Sequence, residues 1–213
     1  MKSIRQRIAL TLAAVLAVGF VSLADFRGAD AAPPPKTAEF TIAYSTNANG
    51  AIITIGNSLL TCPDAVGAPC LDARGGGSWD NNSFRMVDID VDGDPSTYNS
   101  SSSQLNLPDG AKVLFAGLFW GARLDKGETS GSATTRAGDP ALADKIKFKV
   151  PKGSYENLTG VVLAQNSGQK NAYQSYKDVT ELVRAAGNGE YWGADVETGT
   201  GLDRYAGWAL TVV

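Results

Sequence analysis

The run Lys112-Val-Leu-Phe-Ala-Gly-Leu-Phe-Trp-Gly121 is the most hydrophobic stretch downstream of the N-terminal leader. It is near-continuously apolar rather than alternating, which reads as a central strand buried on both faces. Before it, Pro108-Asp109-Gly110 is a turn, preceded by a short strand over Ser103–Leu107 with Leu105 and Leu107 alternating. After it, residues 122–144 are rich in Gly, Ser, Thr and Asp and read as a long exposed loop. From Lys145 to Val150, Lys alternates with Ile, Phe and Val, the pattern of a half-buried strand with Lys145, Lys147 and Lys149 facing water.

The same grammar extends in both directions. Strands are expected at Phe40–Ser45, Ala51–Leu60, Ser83–Asp92, Leu158–Ala164, Ala172–Tyr176, Glu190–Val196 and Tyr205–Val213. In Ser83–Asp92, Val87, Ile89 and Val91 are expected on one face and Asp88, Asp90 and Asp92 on the other. Residues 61–82 read as a loop. One helix is predicted over about 178–186: Asp178-Val-Thr-Glu181 has the form of a capping box. Val179, Leu182, Val183 and Ala186 then recur at helical spacing, and Gly187 supplies the stop. Many short strands, glycine-rich turns and one short helix predict an all-β, β-sandwich or jelly-roll-like fold. Trp208-Ala-Leu-Thr-Val-Val213 reads as a core strand still in progress, so an incomplete sheet with an open edge, truncated at the C-terminus, is expected.

Residues 1–31 have the three-part plan of a secretory signal peptide. Lys2, Arg5 and Arg7 precede an apolar run over residues 8–24, and Ala29-Asp30-Ala31 forms a small-x-small cleavage site. A Pro-rich leader, 32–38, follows, and 39–213 is read as a single domain. No membrane association is expected after cleavage, and the competing reading is an N-terminal anchor. The leader carries Lys2, Arg5, Arg7 and Arg27 against Asp25 and Asp30; its removal takes the net charge from −3 to −5. An acidic chain without a basic run is a poor match for nucleic acid.

The chain contains no histidine and two cysteines. That excludes Ser-His-Asp and Cys-His catalysis, His-ligated zinc and Cys₄ metal sites. Cys62 and Cys70 bracket Pro-Asp-Ala-Val-Gly-Ala-Pro. In an exported chain they are expected to form a disulfide closing a short loop, since their spacing does not suit a Cys-x-x-Cys redox pair.

Three constellations remain. In Asp88-x-Asp90-x-Asp92-Gly93-Asp94, Asp90, Asp92 and Asp94 around the glycine turn are candidate calcium ligands. The twelfth position is Asn99 where an EF-hand requires Glu, and side chains two apart on a straight strand lie about 6.6 Å apart. The competing reading is a solvated strand face ending in a turn. Among the aromatics, Tyr98, Phe115, Phe119, Trp120, Trp192, Tyr205 and Trp208 sit mainly in apolar strands and read as core. Trp79, beside Gly77-Ser78 in a loop, is the expected exposed ring and the candidate ligand-binding residue, because an indole stacks on the apolar faces of sugars. No pair of carboxylates is marked for hydrolysis by its context; Glu190 and Glu197 are placed on opposite faces. Gly199-Thr-Gly201-Leu-Asp203 lacks the Lys and helix of a phosphate loop and reads as a hairpin turn.

Several runs together are similar to a known group of proteins. They are Met86-Val-Asp-Ile-Asp-Val-Asp-Gly-Asp94, Ser101-Ser-Ser-Gln-Leu-Asn-Leu-Pro-Asp-Gly-Ala111, Val113–Gly121, Gly187-Asn-Gly-Glu-Tyr191 and Gly199-Thr-Gly-Leu-Asp-Arg-Tyr-Ala-Gly-Trp-Ala209. They resemble the N-terminal β-rich region of large exported surface proteins of actinobacteria and other Gram-positive bacteria, which carry Ig-like repeat domains of unknown function. With the signal-peptide plan, the strand pattern and the absence of a catalytic constellation, a non-catalytic cell-surface or adhesion-type module is expected, secreted or surface-associated, with a cell-wall or extracellular polymer or protein as partner. A secreted carbohydrate-binding module, with or without calcium, is the alternative, and a secreted carboxylate hydrolase the third reading.

Overall fold

The computed structural model describes residues 41–63, 67–79, 83–128, 134–166 and 171–213. The expectations for the leader, the Pro-rich segment and Phe40 lie outside the described residues. Among those described, twelve strands form three sheets of antiparallel pairs, with two short helices.

The larger sheet has five strands in the order β1-β12-β5-β9-β8. They are β1 (Ile53–Ser58), β12 (Ala206–Val212), β5 (Ala116–Arg123), β9 (Ala172–Asp178) and β8 (Val161–Gln165). The second sheet has the order β4-β10-β6-β7, from β4 (Ser100–Leu105), β10 (Gly189–Ala194), β6 (Lys145–Lys149) and β7 (Glu156–Thr159). A small third sheet joins β2 (Leu60–Thr61), β3 (Arg85–Asp88) and β11 (Gly201–Leu202). The expected all-β, open sandwich-like architecture is what the chain adopts.

The Lys112–Gly121 run supplies the middle strand, β5. Leu118, Trp120 and Ala122 alternate into the core and are buried, whereas Phe119 and Gly121 on the other face are partly exposed, so the expected burial on both faces is corrected to burial on one, and the strand begins only at Ala116. Trp208 and Leu210 of β12 lie beside them, opposite Tyr191 of β10 and Ile146 and Phe148 of β6. The two buried indoles satisfy their N–H groups internally: Trp120 donates to Ala143 O (3.1 Å) and Trp208 to Ser101 Oγ (3.0 Å). Each ring also needs a neighbour without a side chain. A Cβ at Gly193 would strike the Trp208 indole, and one at Gly160 the Trp120 ring.

Gly160 also divides the expected Leu158–Ala164 strand in two: β7 belongs to the four-stranded sheet and β8 to the five-stranded one. On the other side of the sandwich β1 meets β4, where the Asn57 amide donates to Ser102 O (3.0 Å).

Several expectations are corrected. The final strand is not an open edge, because β12 pairs with β1 on one side and β5 on the other; the edges of that sheet are β1 and β8. Residues 41–46 are not a strand. The 61–82 loop contains a helix, α1 (Ala68–Arg74), with Pro at its start. The described parts of 122–144 are held down: Leu124 and Ala143 are buried, and Arg136 pairs with Asp88. Arg204, 4% exposed, explains much of this order. Its guanidinium donates to Asp125 O, Lys126 O, Leu202 O and the Asp125 carboxylate, stitching the two segments together. In β3 the buried residue is Met86, next to Phe84, while Val87 and Val91 face outward, opposite to the expected polarity. Gly201 and Leu202 form strand β11 against β3, not a simple hairpin turn.

The second helix, α2 (Thr180–Ala186), forms where expected and buries Val183. Its cap differs from a capping box. Asp178 Oδ1 accepts from Thr180 N (2.9 Å), while Glu181 pairs forward with Arg184. Gly187 ends it at φ 67°, a conformation costly for any residue with a Cβ.

Candidate functional site

The Cys62–Cys70 disulfide is formed, and both cysteines are buried. It ties the end of β2 to α1, whose outer face is open: Leu71 is exposed and Ala73 only partly covered. A seven-residue helix is too short to hold itself in water. Arg74, in its last turn, reaches back to Thr61 Oγ1 (2.9 Å) and Cys62 O (2.6 Å). The Asp72 carbonyl and carboxylate then accept from Gly77 N (2.8 Å) and Ser78 N (3.2 Å), fixing the loop that delivers Trp79.

Trp79 is 48% exposed. Its indole is tilted on the buried Phe84 ring, with centroids 6.0 Å apart. It stands at a cleft of about 660 Å³ whose walls also include Asn57, Arg74, Met86, Asp90 and Val91. One ring, apolar patches and an amide, a guanidinium and a carboxylate thus converge. A second, more apolar cleft of similar volume, about 650 Å³, lies around Ile53, Leu107, Leu114 and Val213, away from Trp79.

The aspartate run becomes an organised turn. Asp92 Oδ1 accepts from Asp94 N (2.9 Å) and Thr97 Oγ1 (3.1 Å), and its Oδ2 accepts from the Tyr155 hydroxyl (2.6 Å). Asp94 Oδ1 accepts from Ser96 N (2.9 Å), and Asp90 Oδ1 accepts from Ser100 Oγ (2.8 Å). Gly93 supplies the positive φ. Asp92 and Asp94 therefore share one turn, while Asp90 is engaged by Ser100 and borders the Trp79 cleft. Among the described residues no group of three or more acidic or Cys side chains is placed to hold one metal ion. Burial disfavours the Asp92 charge, but the hydrogen bonds from Tyr155, Asp94 N–H and Thr97 outweigh it and hold its carboxyl below the ordinary value of 3.8.

Glu190 and Glu197 are far apart in their partnerships. Glu190 accepts from Ser102 Oγ (2.8 Å) on the outer face of the four-stranded sheet, whereas Glu197 accepts from the Tyr98 hydroxyl (3.2 Å) and Asp139 N (3.0 Å). Burial, with the Glu197 charge beside it, pushes the Tyr98 hydroxyl pKa up. Of the aromatic set, Phe115, Trp120 and Trp208 are core, Phe119 and Trp192 are half-buried, Tyr205 is exposed, and Tyr98, 41% exposed as a residue, directs its hydroxyl onto Glu197.

Nothing local in the sequence marks Arg74, Tyr155 or the Lys149–Trp192 pair. The helical continuity of Ala68–Arg74 is masked by its Pro and Gly neighbours, and Tyr155 lies far from Asp92 along the chain. Among the described residues no helix is long and apolar enough to cross a membrane. Comparisons with family models, with curated proteins and with solved structures return no match.

Proposed function

We propose that the chain is an exported, non-catalytic surface module that binds an extracellular or cell-wall polymer in the cleft at Trp79. The observation that carries this reading is the half-exposed indole, fixed on Phe84 and flanked by Arg74, Asn57 and Asp90. Such a ring offers a flat apolar face to the C–H side of a saccharide while the polar neighbours meet its hydroxyls, so carbohydrate is the ligand class it favours. The signal-peptide pattern and the disulfide support export. The resemblance to the N-terminal region of Gram-positive surface proteins supports a place at the cell surface.

A glycan array probed with the secreted chain tests the proposal. Binding to at least one glycan class is expected, with loss of roughly tenfold or more in affinity for Trp79→Ala, the order of one stacking contact with its desolvation. A chain that binds no array glycan and is not retained by cell walls would rule the reading out.

A further inference from the structure

The outer face of the four-stranded sheet holds a second arrangement that the Trp79 cleft does not use. Register places Ser102 of β4, Trp192 of β10 and Lys149 of β6 side by side across three strands. The Lys149 ammonium lies 4.6 Å from the Trp192 ring centroid and 4.7 Å from that of Tyr155. Tyr155 is itself fixed by its 2.6 Å hydrogen bond to Asp92, so the aspartate turn sets one wall of this clamp.

The neighbouring lysines of β6 are paired: Lys145 with Asp144 (3.1 Å) and Lys147 with Asp195 (2.8 Å). Lys149 has no ion pair or hydrogen bond to the described residues; ring faces are its company. Ring quadrupoles hold a cation in position without neutralising it or accepting its three N–H donors in the manner of an oxygen. The result is a pre-positioned charge, set on a polar face with Ser102 and the exposed Gln104 and Glu190 beside it.

We propose that Lys149 anchors a second binding site, for the carboxylate of an acidic polysaccharide of the uronic-acid type. One cation beside a hydroxyl, an amide and a Glu190 carboxylate already engaged by Ser102 Oγ (2.8 Å) matches a polymer that alternates a single carboxylate with several hydroxyls. A dense polyanion would need a row of unpaired cations, and here the other two lysines of the strand are engaged. This site is separate from the Trp79 cleft and stands or falls without it.

Titration of the secreted chain with polygalacturonate, neutral dextran and poly-glutamate, read by tryptophan fluorescence and calorimetry, tests this. Polygalacturonate is expected to bind roughly tenfold or more tightly than either other polymer, and to weaken as salt is raised. Lys149→Met, which keeps the stem between the rings, is expected to lose about tenfold in affinity, the order of one charge-assisted hydrogen bond. Lys149→Arg and Trp79→Ala are expected to keep the binding. Equal affinity for dextran or poly-glutamate, undiminished binding by Lys149→Met, or loss of binding in Lys149→Arg or Trp79→Ala would each overturn the proposal.

Discussion

Asp92 illustrates how one side chain acquires a structural duty. Its two oxygens gather Tyr155, Thr97 and the Asp94 N–H, and these bonds hold its pKa below 3.8 against the opposing effect of burial. A carboxyl with a depressed folded pKa stabilises the fold above its unfolded pKa, and that contribution fades as pH falls through the folded value. Tyr155→Phe is therefore expected to lower stability at neutral pH by about 1 kcal/mol. The difference from the parent chain should shrink in urea titrations as pH is taken below 3.8. A constant difference down to strong acid would show that the hydroxyl acts by another route. At this scale the sequence was partly legible. The Asp-x-Asp-Gly-Asp spacing announced a turn around Gly93, but hydrogen bonding to Tyr155 depends on a residue brought in from before β7. Trp79 was found because Gly and Ser neighbours mark a loop. The exposure of Val87 and Val91 was missed because strict alternation does not tell which face meets the core.

At the scale of elements, α1 is held by the Cys70 disulfide, by the Arg74 hydrogen bonds and by Ala73 packed against the core. Removing the disulfide by Cys62→Ser with Cys70→Ser is expected to cost about 2–3 kcal/mol by the loop-entropy model. Because Asp72 and Arg74 of the same helix organise the approach to Trp79, ligand binding in that cleft should fall sharply, while the far-ultraviolet circular dichroism of the two main sheets persists. Unchanged glycan binding in the double variant would separate the helix from the site. Strands β5, β6, β9, β10 and β12 are readable within a few residues because apolar or alternating runs bounded by turn residues are local patterns. The division at Gly160 was not readable. It follows from the chain passing between two sheets, with the Trp120 ring packed where a side chain would stand, and no local signal encodes that. Helix α1 was obscured for a similar reason: its stability comes from a covalent tie, not from an amphipathic face.

At the scale of the molecule, Tyr155, Tyr173 and Tyr191 all have hydroxyls whose pKa burial pushes up from 10, that of Tyr191 to about 12. Their neutral forms are preferred in the folded state, so their contribution is complete below pH 10 and is lost as pH rises towards their folded values. Alkaline titration is expected to show tyrosinate absorbance and loss of near-ultraviolet circular dichroism appearing together above pH 10. Ionisation of any of these tyrosines near 10 in the intact fold, assigned by the absorbance that its Phe variant loses, would contradict the burial. Sheet order has a different consequence. β1 pairs not with its successors but with β12, Ile53 opposite Val212, and β5 waits for the same strand. β5, β9 and β8 can pair among themselves, but nearly the whole domain must be synthesised before β12 joins β1 to that ladder and completes the larger sheet. Such long-range closure implies slow folding, on the order of milliseconds to seconds. Under the export proposed above, that delay is useful: the chain stays threadable during translocation and its largest sheet closes late, once β12 has arrived on the far side.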